Sequence, residues 1–136
     1  MQEILNAALA ATQEVATFQM KHFRSMPADS HTTKDVREMV SFVDLESEKI
    51  LIRHLTPLLP EAGFHGEETG KAGSQDLTWI IDPLDGTTNY LSGLDQFSIS
   101  LALVKNGTPI LGIIHKPANN ETFHAIQGSG LHHNGK

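Results

Sequence analysis

Apolar residues recur with helical spacing at the start of the chain. Ile4, Ala8, Ala11, Val15 and Phe18 stand three or four residues apart, which predicts an amphipathic helix over about residues 2–24. Met26-Pro27-Ala28-Asp29-Ser30 breaks the pattern, and residues 31–37 are polar and read as loop. A second helix is expected after Ser41, with Ile50, Leu51, Leu55 and Leu58 as its apolar face and Pro57 and Pro60 at its end. Residues 63–76, with four glycines and a polar tract, read as loop around a short strand. From Thr78 the period changes to two. Thr78-Trp79-Ile80-Ile81 is a buried-strand pattern that ends at Asp82-Pro83. Residues 96–105 alternate, with Phe97, Ile99, Leu101 and Leu103 on one face and Ser98, Ser100, Ala102 and Val104 on the other. Asn106-Gly107 predicts a tight hairpin turn, residues 109–115 the return strand, 117–120 another turn and 121–126 a third strand. Residues 128–136 include Asn134-Gly135, a pair that usually separates two strands; read alone, they form a frayed polar tail. Helices followed by an antiparallel meander make an α+β order, two N-terminal helices packed on a mostly antiparallel sheet.

The 136 residues fit one domain, and 39% hydrophobic with 19% charged residues is a globular composition. Ten Lys and Arg against sixteen Asp and Glu leave a net charge of −6, which argues against a basic nucleic-acid-binding surface. The chain has no cysteine, so disulfides and thiolate metal sites are excluded within it. The longest apolar stretches, such as residues 110–114, are too short to span a bilayer, and the first residues lack a secretory leader pattern. A cytoplasmic protein is the expectation, with its chemistry to be sought among the carboxylates.

The densest chemistry lies in Trp79-Ile80-Ile81-Asp82-Pro83-Leu84-Asp85-Gly86-Thr87-Thr88-Asn89. Two carboxylates three residues apart leave a strand end, with Pro83 and Gly86 shaping the bend between and after them. Such a bend can aim Asp82, Asp85 and the Leu84 carbonyl at one point, an oxygen set suited to a hard cation such as Mg²⁺. Gly86-Thr87-Thr88-Asn89 reads as a turn entering a short helix, whose free N–H groups favour phosphate. A cation beside an anion cradle is what phosphoryl transfer needs. Each residue has a plainer alternative. Asp-Pro and Asp-Gly are ordinary turn pairs, Thr87 can be an N-cap, and Ser41 with Asp44 can form a capping box. Glu67 and Glu68 can be solvated loop acids, Trp79 is expected in the core, and the eight histidines read as surface or tail residues.

The string from Trp79 to Asn89 resembles the signature of the inositol monophosphatase family, Mg²⁺-dependent, lithium-sensitive phosphatases. Gly66-Glu67-Glu68 matches the family's G-E-E element, and Met39-Val40-Ser41-Phe42-Val43-Asp44 resembles its L-V-T-x-x-D element, with Glu46 and Glu48 in the acidic helix start that follows. Residues 97–103, 121–123, 128–130 and 134–136 match its later strands and turns. The resemblance implies the first domain of an αβαβα fold. It implies that Glu67, Asp82, Asp85 and the Leu84 carbonyl hold metal, with Asp82 and Asp85 bridging ions and Asp85 also meeting substrate. It implies that the Gly86 and Thr87 amides bind phosphate, and that Glu67 with a water, and Thr87 with Asp44, activate the nucleophile. Glu68 is a neighbouring acid, and Lys34 is expected near the site. The implied reaction is hydrolysis of a small phosphomonoester, most directly inositol 1-monophosphate, by a homodimeric enzyme. Fructose 1,6-bisphosphate and 3′-phosphoadenosine phosphates are the alternatives.

The chain departs from the family pattern at Glu38, where the family has Asp, and at Ser92 and Asp95, where it has His and Pro near the mouth of the site. Family members are also about twice as long. Residues 1–136 are therefore expected to be an N-terminal metal- and phosphate-binding domain without the C-terminal substrate domain and its W-D-x-x-A-G ligand. By itself such a piece would be a weakly active or inactive cation-binding fragment.

Overall fold

The computed structural model describes residues 1–25 and 33–136. Helix α1 spans Gln2–His22 and α2 Thr33–Leu58. Strands β1 (Gly63–Gly66) and β2 (Gly70–Ala72) form a hairpin, and β3 (Leu77–Asp85) leads into the short helix α3 (Thr87–Leu91). Then come β4 (Ser98–Lys105), β5 (Thr108–Lys116), β6 (Glu121–Ile126) and β7 (Gly130–His133). The seven strands form one sheet in the order β2-β1-β3-β4-β5-β6-β7. Every neighbouring pair is antiparallel except β1 and β3, which run parallel.

Alternation decides which face is buried. Phe97, Ile99, Leu101 and Leu103 are all buried, as the period of two requires, together with Trp79, Ile81, Leu111 and Ile113. They meet a stripe of α1 (Leu5, Ala8, Ala11, Val15) and of α2 (Leu51, Leu55) in one core. Each fully buried aliphatic side chain contributes about 1.5–3 kcal/mol relative to exposure. The opposite sheet face carries no helix among the described residues, and Ile80, Ile114 and Leu131 are exposed there. Asn106 and Gly107 both take positive φ (50° and 82°), the mark of the two-residue hairpin turn that the pair predicts. No helix among the described residues is long and apolar enough to cross a membrane.

Several expectations are corrected. α2 begins at Thr33, not after Ser41, so residues 33–37 are helix rather than loop and Ser41 and Asp44 lie well inside it. They therefore form no capping box. The earlier start was hidden because the first turns are polar: among residues 35–40 only Val36, Met39 and Val40 are apolar, and none of the six is fully buried. The readings on residues 26–32 and on the Lys34 side chain lie outside the described residues. Residues 63–76 hold two strands, because Gly70 at φ 68° lets the chain reverse. The expected tail is strand β7, in register with β6 from Ile126↔Gly130 to Phe123↔His133. The N-cap of α3 is Gly86, and Thr87 is its first helical residue. His115 is buried, with its ring Nδ1 and Thr122 Oγ1 2.7 Å apart.

Candidate functional site

β1 and β3 run parallel with Gly66 opposite Ile81, so the turn after β1 and the bend after Asp82 leave the sheet side by side. The first carries Glu67 and Glu68, the second Asp82, Leu84 and Asp85. α2 brings Asp44 to the same place, close enough for Glu67, Glu68, Glu48 and Asp82 all to act on its charge.

The bend is held from both helices. The register slips between Asp82 and Asp85, which frees the Pro83 carbonyl from the ladder. Gln19 of α1 donates to that carbonyl at 2.5 Å and to Ser47 Oγ of α2 at 3.1 Å. Tyr90 Oη in turn donates to the Gln19 carbonyl at 2.8 Å. The Leu84 side chain anchors the bend in a small core with Val43, Tyr90 and Phe97. Gly86 follows at φ 90°, where an added Cβ would lie 2.7 Å from the Gln96 carbonyl oxygen, so only glycine fits.

The turn carrying Glu67 is held by a residue that sequence reasoning placed only as a helix-start acid. Glu48 is completely buried. Its carboxylate accepts the Glu68 N–H at 3.0 Å and the Thr69 N–H at 3.2 Å. It occupies the space a side chain at residue 66 would need, since a Cβ on Gly66 would fall 1.6 Å from Glu48 Oε1. Gly66 and Glu48 are thus one device that presents Glu67. The signal for it was the spacing of four between Asp44 and Glu48, which puts both on one helix face. Gly66→Ala is expected to cost at least about 2 kcal/mol, through overpacking and loss of the two N–H bonds. Urea denaturation checks this against Gly112→Ala, whose Cβ meets nothing within 4 Å. Equal stability of the two variants would refute the device.

The electrostatics of this bay are one-sided. Burial and four neighbouring carboxylates raise the Asp44 pKa to about 7. Glu67 is raised by burial, then by Asp82, Glu68, Glu48 and Asp85. Asp82 is raised by burial and Asp85, partly offset by a backbone hydrogen bond from Leu84. No cationic side chain of the described residues figures among these influences. Among the described residues, Asp44 Oδ1 and Asp82 Oδ1 are buried and accept no hydrogen bond. A buried, unpaired carboxylate oxygen is costly, and a cluster of them is the donor set of a hard cation. The residues therefore fit a metal. Among the described residues, no three such side chains are drawn to a common metal-holding distance. Thr87 Oγ1 donates to the Leu84 carbonyl at 3.2 Å, so its one hydroxyl proton goes there and not to Asp44.

A model of the inositol monophosphatase family matches residues 1–136. The Nus factor SuhB of Xylella fastidiosa is 35% identical over 93% of this chain and 46% of its own length. The fructose-1,6-bisphosphatase/inositol-1-monophosphatase of Thermotoga maritima is 42% identical over 74% of this chain and 39% of its own length. Among solved structures, the extragenic suppressor protein SuhB of Bartonella henselae superposes with a TM-score of 0.83 at 31% identity, covering 97% of this chain and 51% of that one. The chain spans about half the length, or less, of these relatives.

Proposed function

The chain belongs to the inositol monophosphatase family, and on that premise we propose that residues 1–136 form a metal- and phosphate-binding unit serving Mg²⁺-dependent hydrolysis of a small phosphomonoester, inositol 1-monophosphate first among them. The observation that carries this reading is the pair of buried oxygens on Asp44 and Asp82 that have no hydrogen-bond partner among the described residues, in a bay of like charge. Glu67, Asp82, Asp85 and the Leu84 carbonyl would hold the ion. Bound Mg²⁺ supplies a Lewis acid that lowers the pKa of the attacking water and screens charge on the phosphoryl oxygens. The chain's own residues do the rest. Gly86 and Thr87, at the start of α3, have N–H groups with no partner inside the helix and would orient the phosphate. Glu67 is exposed on its turn and free to position the nucleophile. Asp44, buried on α2 beside Glu67 and Asp82, would hold or release a proton there.

Phosphate release by the intact protein is the test, with inositol 1-monophosphate, fructose 1,6-bisphosphate and a 3′-phosphoadenosine phosphate, in Mg²⁺ and in EDTA. Release in Mg²⁺ that stops in EDTA is expected. If all three esters survive Mg²⁺, the hydrolase reading fails. The name Nus factor, carried by the Xylella fastidiosa relative, supports a second reading in which the chain acts as a binding subunit; the same assay separates the two.

A further inference from the structure

On the far side of Asp85 and Gly86 lies a cavity of about 330 Å³, lined also by Asn89, Gln96, Ser98 and Lys116. Its volume is at the lower end for small-ligand sites and exceeds what one phosphate group fills. Its polar lining is mostly committed. Asn89 Nδ2 donates to the Gln96 carbonyl at 2.8 Å, and Gln96 Nε2 to Asp95 at 3.1 Å. Lys116 is the one cation among the described residues that line it. It stands at the end of β5, with its side chain 28% exposed. Its ion pair with Glu121 is long, at 3.9 Å. Glu121 does not depend on it, because Asn119 Nδ2 donates to Glu121 Oε1 at 3.0 Å and His133 Nε2 lies 3.0 Å from Oε2. The lysine can therefore turn into the cavity without leaving a buried charge unpaired.

We propose that Lys116 is a specificity residue, which binds a second anionic group on the substrate and so raises the affinity for sugar bisphosphates relative to that for monophosphates. A chain of net charge −6 with an acidic bay repels a second phosphate, and a flexible ammonium across the cavity from Asp85 and Gly86 is the group that offsets this. The choice of a phosphate ester as ligand rests on the hydrolase reading above; the role of the lysine is tested separately.

The test is binding, by calorimetry on the intact protein with Mg²⁺, of phosphonate analogues of fructose 1,6-bisphosphate and inositol 1-monophosphate, which cannot be hydrolysed. In Lys116→Met the ratio of bisphosphonate to monophosphonate affinity is expected to fall about tenfold. Lys116→Arg restores it, and Glu121→Gln, which frees the lysine, raises it. A ratio that stays within twofold of wild type in a folded Lys116→Met protein overturns the proposal. Failure of wild type to bind either analogue overturns both this proposal and the hydrolase reading. A Lys116-dependent ratio in a protein that releases no phosphate overturns only the hydrolase reading.

Discussion

Asp85→Asn is expected to lower kcat/KM for phosphomonoester hydrolysis by at least about 100-fold and leave the thermal midpoint nearly unchanged. The reason is a separation of duties within the bend. Its shape is fixed by Gln19 on the Pro83 carbonyl, by Tyr90 on Gln19 and by the buried Leu84 side chain. Asp85 is exposed at the strand end and, among the described residues, its carboxylate accepts no hydrogen bond. Its removal therefore costs the fold little and takes one charge from the set that would hold the cation and face the phosphate. The isosteric amide keeps volume and polarity, so what is lost is charge. The concentration of Mg²⁺ needed for half-maximal activity should rise as well. A folded Asp85→Asn protein with kcat/KM within threefold of wild type would refute the assignment of Asp85. Gly66→Ala is the contrast, since it should lose stability and activity together.

Much of this site was legible because local chemistry reports itself. Asp82-Pro83-Leu84-Asp85-Gly86 combines a strand end, a residue without an N–H and a position that demands positive φ, and the structure has a bend there. The alternation of residues 97–103 was equally plain, since one buried sheet face repeats every second residue. What stayed hidden is polar and buried. The inward stripe of α2 reads Val43, Asp44, Ser47, Glu48 and Leu51, and polar residues at helical spacing give no sign in the sequence that they point inward. They are inward because the helix faces the acidic bay and the turn it supports. Glu48 was visible only as an acid of a helix start, and its partners, the N–H groups of Glu68 and Thr69, are 20 and 21 residues away in sequence. Strand β7 was missed for a different reason. Leu131 is exposed, and the strand is held by pairing with β6 and by the Asn134 side chain, which accepts the Thr122 N–H at 2.8 Å. Edge pairing of this kind leaves little apolar signature.

Without a divalent cation, the protein is expected to lose stability as pH rises from about 4 to about 7, and Asp44→Asn is expected to remove much of that slope. The Asp44 pKa rises from its ordinary 3.8 to about 7 on folding, chiefly through burial and then through Glu67, Glu68, Glu48 and Asp82. A raised acid binds its proton more tightly in the folded state, so between those values the folded chain carries more protons than the unfolded one. Stability must then fall with rising pH: no penalty is present below 3.8 and the whole of it above about 7. Its size is a few kcal/mol, on the order of 4 at most. Glu67 and Asp82 shift in the same direction and add to the slope. His115 and His124 oppose it. Burial, joined at His124 by the charge of His132, lowers their pKa values, so they cost stability as pH falls below about 6.5. Comparing wild type with Asp44→Asn at each pH cancels the histidine contribution, because both proteins keep it. Urea midpoints in EDTA at pH 5, 6, 7 and 8 make the measurement. The variant should be the more stable protein at pH 8, and the gap should close toward pH 5. Adding Mg²⁺ should stabilise the wild type most where Asp44, Glu67 and Asp82 are ionised, so its effect should grow with pH. Parallel wild-type and Asp44→Asn curves in EDTA would show that Asp44 does not carry this penalty. A Mg²⁺ effect that is absent or independent of pH would count against a cation in the bay.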